Sequence, residues 1–168
     1  MNKKIFLWGG VTLFLVIAIG ILIAGNRNAT GSAVPTFSAA DPNGPRISAQ
    51  QTEWDLGEVP FESPTFKEVS FTNSGKSKLN ITGALTSCGC TSVTFLIPGK
   101  EESPKFEMHN NPKNWTGEVE PGQTVTMKVK FDPKAHSVHG QVERTIVVSS
   151  NDPVSPNFEF KFKANVTH

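Results

Sequence analysis

Val125-Thr-Met-Lys-Val-Lys-Phe131 alternates apolar and polar residues without a break, with Val125, Met127, Val129 and Phe131 as the apolar set. A period of two puts those four side chains on one face of an extended strand, the face that must be buried. Shorter runs with the same period flank it. Trp54, Leu56 and Val59 mark a first strand. Phe66, Val69 and Phe71 mark a second, closed by the turn formers Asn73-Ser74-Gly75-Lys76. Leu79, Ile81 and Leu85 mark a third, and Val93, Phe95 and Ile97 a fourth. After the quoted strand, Val142 to Ser149 is a sixth, and Asn151-Asp152-Pro153 turns the chain into a last one along Phe158, Phe160, Phe162, Ala164 and Val166. No segment from Ile47 onward holds a helical period. About seven strands in this length predict an all-β, immunoglobulin-like antiparallel β-sandwich, with the residues just named as its core.

Upstream of the strands the composition changes twice. Residues 26–45 are rich in Ala, Asn, Gly, Pro, Ser and Thr with no apolar period, the composition of a flexible linker. Residues 5–24 (IFLWGGVTLFLVIAIGILIA) carry no charge; a helix of that length spans roughly 30 Å, enough to cross a bilayer. Lys3 and Lys4 precede the run, so the positive-inside rule keeps the N-terminus in the cytoplasm. The expected arrangement is a single-pass transmembrane anchor at residues 1–25, a linker at 26–45, and an extracytoplasmic domain at 46–168, held at the cell membrane in the periplasm or outside the cell. A cleaved signal peptide, cut after Ala33, is the rival reading; its apolar region is typically about 7–15 residues, shorter than this run. No cysteine follows the apolar run closely, which excludes a lipid-modified N-terminal cysteine.

Charge and composition exclude several functions. With 16 Lys+Arg against 15 Asp+Glu the net charge is +1, which gives nucleic acid no basic surface to bind. Two cysteines are too few for a disulfide-dense scaffold or a four-thiolate zinc site. The chain shows no Ser/His/Asp order, no carboxylate pair spaced for acid–base work and no glycine-rich phosphate loop, so no enzyme is expected. Asp132 and Asp152 stand before prolines and are read as turn formers whose carboxylates accept backbone N–H bonds.

The local signatures come in a recognisable order: Trp54-Asp55-Leu56-Gly57-Glu58-Val59, Phe71-Thr72-Asn73-Ser74-Gly75, Ser87-Cys88-Gly89-Cys90-Thr91, Pro121-Gly122-Gln123, Phe131-Asp132-Pro133 and Ser150-Asn151-Asp152-Pro153. Over about residues 47 to 166 this resembles the bacterial Ig-like family of unknown function that carries an S-C-G-C-T motif, itself similar to Hydin-type domains and major sperm protein. The resemblance implies an exported, often membrane-anchored Ig-like module without an established activity. The chain departs from simpler members by an insertion at residues 99–120. In this it is similar to a subset with a methionine in the insertion and a histidine after the F-D-P turn, here Met108 and His136. Trp115 is expected to pin the insertion to the sandwich.

The chemically unusual feature is the cysteine pair. In a strand, residues i and i+2 face one side, so Cys88 and Cys90 present two sulfurs together. A disulfide between them requires Cα atoms within about 6.8 Å and a bend that Gly89 can supply. Counting strand directions, the third strand runs up to Cys88 and the fifth runs up to Phe131, so the loop with His136 and His139 falls at the cysteine end. Met108 and His109 join only if the insertion climbs the sandwich. Two thiolates, an imidazole and a thioether from Cys88, Cys90, His136 and Met108 form a soft set that favours Cu(I), with zinc second and His109 and His139 as further candidates. A redox-active or structural disulfide, or an inert packed pair, are the other readings. The expected partners are the lipid bilayer, through residues 5–24, and an envelope protein recruited by edge-strand addition.

Overall fold

The strand quoted above is the centre of the first sheet, with its four apolar residues buried and its lysines on the outer face. The computed structural model describes residues 34–167; the apolar run at residues 5–24, the anchor and the first part of the linker lie outside the described residues. Among the described residues there are nine strands: β1 (Ile47–Ser48), β2 (Glu53–Pro60), β3 (Thr65–Asn73), β4 (Leu79–Thr86), β5 (Thr91–Leu96), β6 (Gly117–Val119), β7 (Thr124–Phe131), β8 (Gly140–Ser150) and β9 (Asn157–Thr167). They form two sheets, ordered β1-β3-β7-β5 and β2-β9-β8-β4-β6. The expected sandwich is therefore present, with two short strands, β1 and β6, beyond the expected set.

One pairing departs from the antiparallel expectation. β1 pairs antiparallel with β3 at Ile47–Asn73 and Ser48–Thr72; the chain then crosses to the other sheet, where β2 runs parallel to β9. This switch lets one N-terminal segment edge both sheets and leaves most of β3 unpaired on the β1 side. The core between the sheets is aromatic, with Phe71, Phe95, Phe106, Phe131, Phe160 and Phe162 buried beside Met127. Trp54 stacks on Phe162 with ring centroids 5.7 Å apart.

Two expected core residues are exposed, while Leu56, Val142 and Phe158 pack partly buried against the core. Phe66 is 68% exposed because it is out of phase with Val69 and Phe71, which are buried on the opposite face of β3. Leu85 is 51% exposed; a register shift between Ile81 and Gly83 reverses the pleat along β4, so Ala84 and Thr86 face inward instead.

The insertion covers the outer edge of β5. Val93 and Phe106 exchange backbone hydrogen bonds, each 2.9 Å, and Ser103 N–H donates to the Phe95 carbonyl at 3.0 Å. Phe106 is thereby pressed into the core, and Trp115 stacks on Phe95 at 5.8 Å, pinning the insertion as expected. Residues 34–45 are fastened to the sandwich. Arg46 donates to the carbonyls of Ala39 (3.2 Å) and Asp41 (3.1 Å), and Asn151 Nδ2 donates to Pro35 O at 3.2 Å. Buried Asp152 accepts the backbone N–H groups of Ile47 and Val154, each at 2.8 Å, the turn-forming role expected of it.

Candidate functional site at the cysteine turn

β4 ends at Thr86 in one sheet and β5 begins at Thr91 in the other, so Ser87–Cys90 form the corner between sheets. A corner needs a tight bend, and Gly89 lies in it without a positive φ. Thr91 N–H donates to the Cys88 carbonyl at 3.0 Å, closing a turn over Gly89 and Cys90. The Thr86 hydroxyl lies 3.0 Å from the carbonyl oxygens of both Cys88 and Thr91 and holds the turn from below. Within this bend Cys88 and Cys90 are joined by a disulfide, with their Cα atoms 5.1 Å apart, closer than the roughly 6.4–6.8 Å that two residues of a straight strand span and within the range a disulfide takes.

The F-D-P turn forms the second wall. Asp132 N–H donates to the Cys90 carbonyl at 2.8 Å, which ties the end of β7 to the cysteine corner. A 3-10 turn, Pro133–His136, follows and stops at Ser137, whose φ of 49° is left-handed. Asp132 takes part in the turn through its carbonyl, which accepts the Ala135 N–H at 3.2 Å, while its carboxylate, expected to accept a backbone N–H, makes no cap bond to the 3-10 turn and pairs with Lys130 at 3.0 Å. The turn lays the His136 imidazole across Gly89. A methyl group at Gly89 would collide with Nε2 and would lie 3.1 and 3.3 Å from Cε1 and Cδ2. Strand counting thus places His136 at the correct end, and only a glycine between the cysteines leaves room for its ring.

Arg144 forms the third wall, and no motif reading identified it. On β8 the inward positions Ile146 and Val148 are buried, and Arg144 shares their phase. Its Nε donates to Cys90 Sγ at 3.2 Å and its Nη1 to the Glu143 carbonyl at 2.8 Å. Burial lowers its guanidinium pKa from the usual value, as expected for a cation drawn partly out of water. The signal in the sequence was a charge at an inward strand position, Val142-x-Arg144-x-Ile146-x-Val148.

The remaining candidates, Met108, His109 and His139, are exposed, as His136 is. The insertion does climb antiparallel to β5 as far as Phe106, but Met108 is 40% exposed and His109 is exposed beside it. His139 stacks on Phe61 with ring centroids 4.4 Å apart. Among the described residues no group of three or more His, Cys, Asp or Glu stands together to hold a metal ion, and the two sulfurs are engaged with each other.

These features define a class: an immunoglobulin-like β-sandwich with a Cys-Gly-Cys corner capped by a histidine and an arginine. Within it the chain belongs to the family described as protein of unknown function (DUF1573), whose model matches residues 47–166. Among solved structures, a protein of unknown function from Porphyromonas gingivalis W83 is similar at 20% identity and a TM-score of 0.55, over 79% of this chain and 52% of that one. A family 123 glycoside hydrolase from Clostridium perfringens matches at 12% identity and a TM-score of 0.50, over 68% of this chain and 22% of that one. The ASH/PapD-like domain 7 of human CEP192 matches at 9% identity and a TM-score of 0.48, over 83% of this chain and 96% of that one. The chain therefore spans about half of the Porphyromonas protein and under a quarter of the hydrolase. At these identities the likeness to the first two is one of fold. No match was found among curated proteins.

Proposed function

We propose that the domain is a non-catalytic binding module, tethered outside the cytoplasm by residues 5–24, which holds a soft metal ion when its cysteine pair is reduced. The observation that carries this reading is the His136 ring lying across Gly89, between the two cysteines. Opening the disulfide would free two thiolates on either side of the glycine that the imidazole covers, and drawing the three together would make a donor set that suits Cu(I) first and Zn(II) second. Arg144 beside Cys90 offsets the negative charge that two thiolates and one Cu(I) leave. Met108, exposed two residues beyond the Phe106–Val93 pairing, is the candidate for a fourth donor. The test is a Cu(I) titration of reduced full-length protein under anaerobic conditions against a competing chelator. About one retained equivalent is expected, lost in Cys88→Ser and weakened by at least about tenfold in His136→Ala; no retention above the chelator by the reduced protein rejects the reading.

A second reading, recruitment of an envelope partner by strand addition, is favoured by the unpaired side of β3. β1 covers only Asn73 and Thr72, and beyond it a groove of about 580 Å³ lies between Ser48–Gln51 and Lys67–Ser70. A photo-crosslinker in place of Phe66 should then capture a discrete envelope protein in intact cells, and Ser70→Pro should abolish the capture. Undiminished capture in that variant would reject strand addition.

A further inference from the structure

The two sulfurs of the Cys88–Cys90 disulfide sit in different surroundings. Cys90 is 1% exposed and belongs to the core cluster, whereas Cys88 is half-buried at the rim. Thiol–disulfide exchange needs an incoming thiolate to reach one sulfur while the other departs carrying the electron pair of the broken bond. Access and charge therefore have to be satisfied at opposite ends of the bond.

Access is available at Cys88 alone, since a thiolate approaching Cys90 would have to enter the core. Charge is best received at Cys90, where Arg144 Nε stands 3.2 Å from Sγ and the Thr91 hydroxyl 3.8 Å away. Cys88 Sγ accepts the Cys90 backbone N–H at 3.1 Å, which is a neutral donor. A hydrogen bond from an ionised donor is roughly twice as strong as a neutral one. Among the described residues the ion pairs are made by Arg46 and by lysines, and Arg144 has no carboxylate partner. An inward-pointing, partly desolvated cation with a sulfur as its neighbour and no acid to neutralise it is arranged for an anion that forms on that sulfur.

We propose that Cys88 is an S-thiolation site and that the disulfide opens with fixed polarity. An external thiolate bonds to Cys88 Sγ, the Cys88–Cys90 bond breaks, and its electron pair stays on Cys90 Sγ as a thiolate against Arg144. With a monothiol the product is a mixed disulfide on Cys88, and the total charge is unchanged because one thiolate replaces another. With a dithiol, the second donor thiol attacks the donor sulfur of that mixed disulfide and releases Cys88. The donor then ends as a disulfide, having lost two electrons and two protons, and the protein pair ends as two thiols. The proposal is independent of metal binding, because it concerns which sulfur is attacked and is read with no metal present.

The experiment exposes folded full-length protein to excess glutathione, quenches in acid, blocks free thiols with N-ethylmaleimide and digests with trypsin. Both cysteines fall in one peptide, Leu79–Lys100, and fragmentation across Gly89 tells them apart. Glutathione on Cys88 with N-ethylmaleimide on Cys90 is expected in at least about tenfold excess over the reverse. Equal or reversed labelling overturns the proposal. Should the ring reclose before the adduct is trapped, the single variants report the same asymmetry through their reaction with an aromatic disulfide reagent. Cys88 in Cys90→Ser should react at least about tenfold faster than Cys90 in Cys88→Ser, and equal or reversed rates overturn the proposal. Opening by dithiothreitol should slow several-fold in Arg144→Gln and recover in Arg144→Lys, at unchanged circular dichroism; an unchanged rate in Arg144→Gln removes Arg144 from the mechanism.

Discussion

At the scale of the residue, Gly89 and His136 form a coupled pair whose energetics can be measured. Alanine at position 89 would drive a methyl group into the imidazole of the exposed His136, and turning that ring aside costs roughly 0.5–1.5 kcal/mol. Gly89→Ala should therefore lower the denaturation midpoint, while the same substitution in a His136→Ala background should cost appreciably less. A double-mutant cycle by urea unfolding measures the difference, and strict additivity would mean that the ring does not occupy the corner. The cysteine pair, its glycine and His136 were legible beforehand because each follows from spacing or from strand direction. Arg144 was not, since a charged residue in a strand is ordinarily assigned to the solvent face. Only its shared phase with Ile146 and Val148 points inward. Met108 was legible only as a soft ligand type: its chemistry says nothing about where an insertion tip points, and it is exposed, as His136 is.

At the scale of the element, the sandwich differs most from its sequence pattern where strands meet edges or slip register. Alternation in β7 and β9 is uninterrupted, and those strands lie as read. β4 carries a shift between Ile81 and Gly83 that turns Leu85 outward, and a reading by parity alone has no means of detecting one skipped residue. The edges are guarded unequally. β5 is covered by Ser103–Phe106, and β2 is interrupted by a shift between Asp55 and Glu58 around Gly57, at a φ of 69°. β3 is the open one. Asn73 N–H donates toward β7, to Gln123 O at 3.0 Å, and Ser74 N–H toward β1, to Arg46 O at 2.8 Å. Alternation then points the Ser70 N–H to the open side and the Val69 N–H into the ladder with β7. Ser70→Pro should leave a folded protein whose midpoint falls by no more than a few degrees. Val69→Pro removes a ladder bond and a buried side chain and should cost about 3 kcal/mol or more. Equal losses in the two variants, measured by thermal unfolding, would mean that the β3 edge is already paired.

At the scale of the whole molecule, the question is whether opening the cysteine ring leaves a protein able to do anything. The fold rests on an aromatic core contributed by both sheets and by the insertion, and the disulfide lies at one corner of it. Its sequence separation is 2. Closing so small a loop removes little freedom from the unfolded chain, about 1.5 kcal/mol in the chain-entropy account. The corner is also held without it, by the Thr86 hydroxyl, the Thr91–Cys88 turn bond and the Asp132–Cys90 bond. Reduction should therefore lower the melting temperature by only about 5 °C for a domain of this size and leave the β-sheet signal intact. Calorimetry of the full-length protein with and without a phosphine reductant, beside Cys88→Ser, measures this directly. A modest shift shared by the reduced protein and the variant means that the pair is free to change state while the sandwich stands, as metal holding and S-thiolation at Cys88 both require. Cooperative unfolding on reduction would make the disulfide a structural staple and would exclude both roles at once.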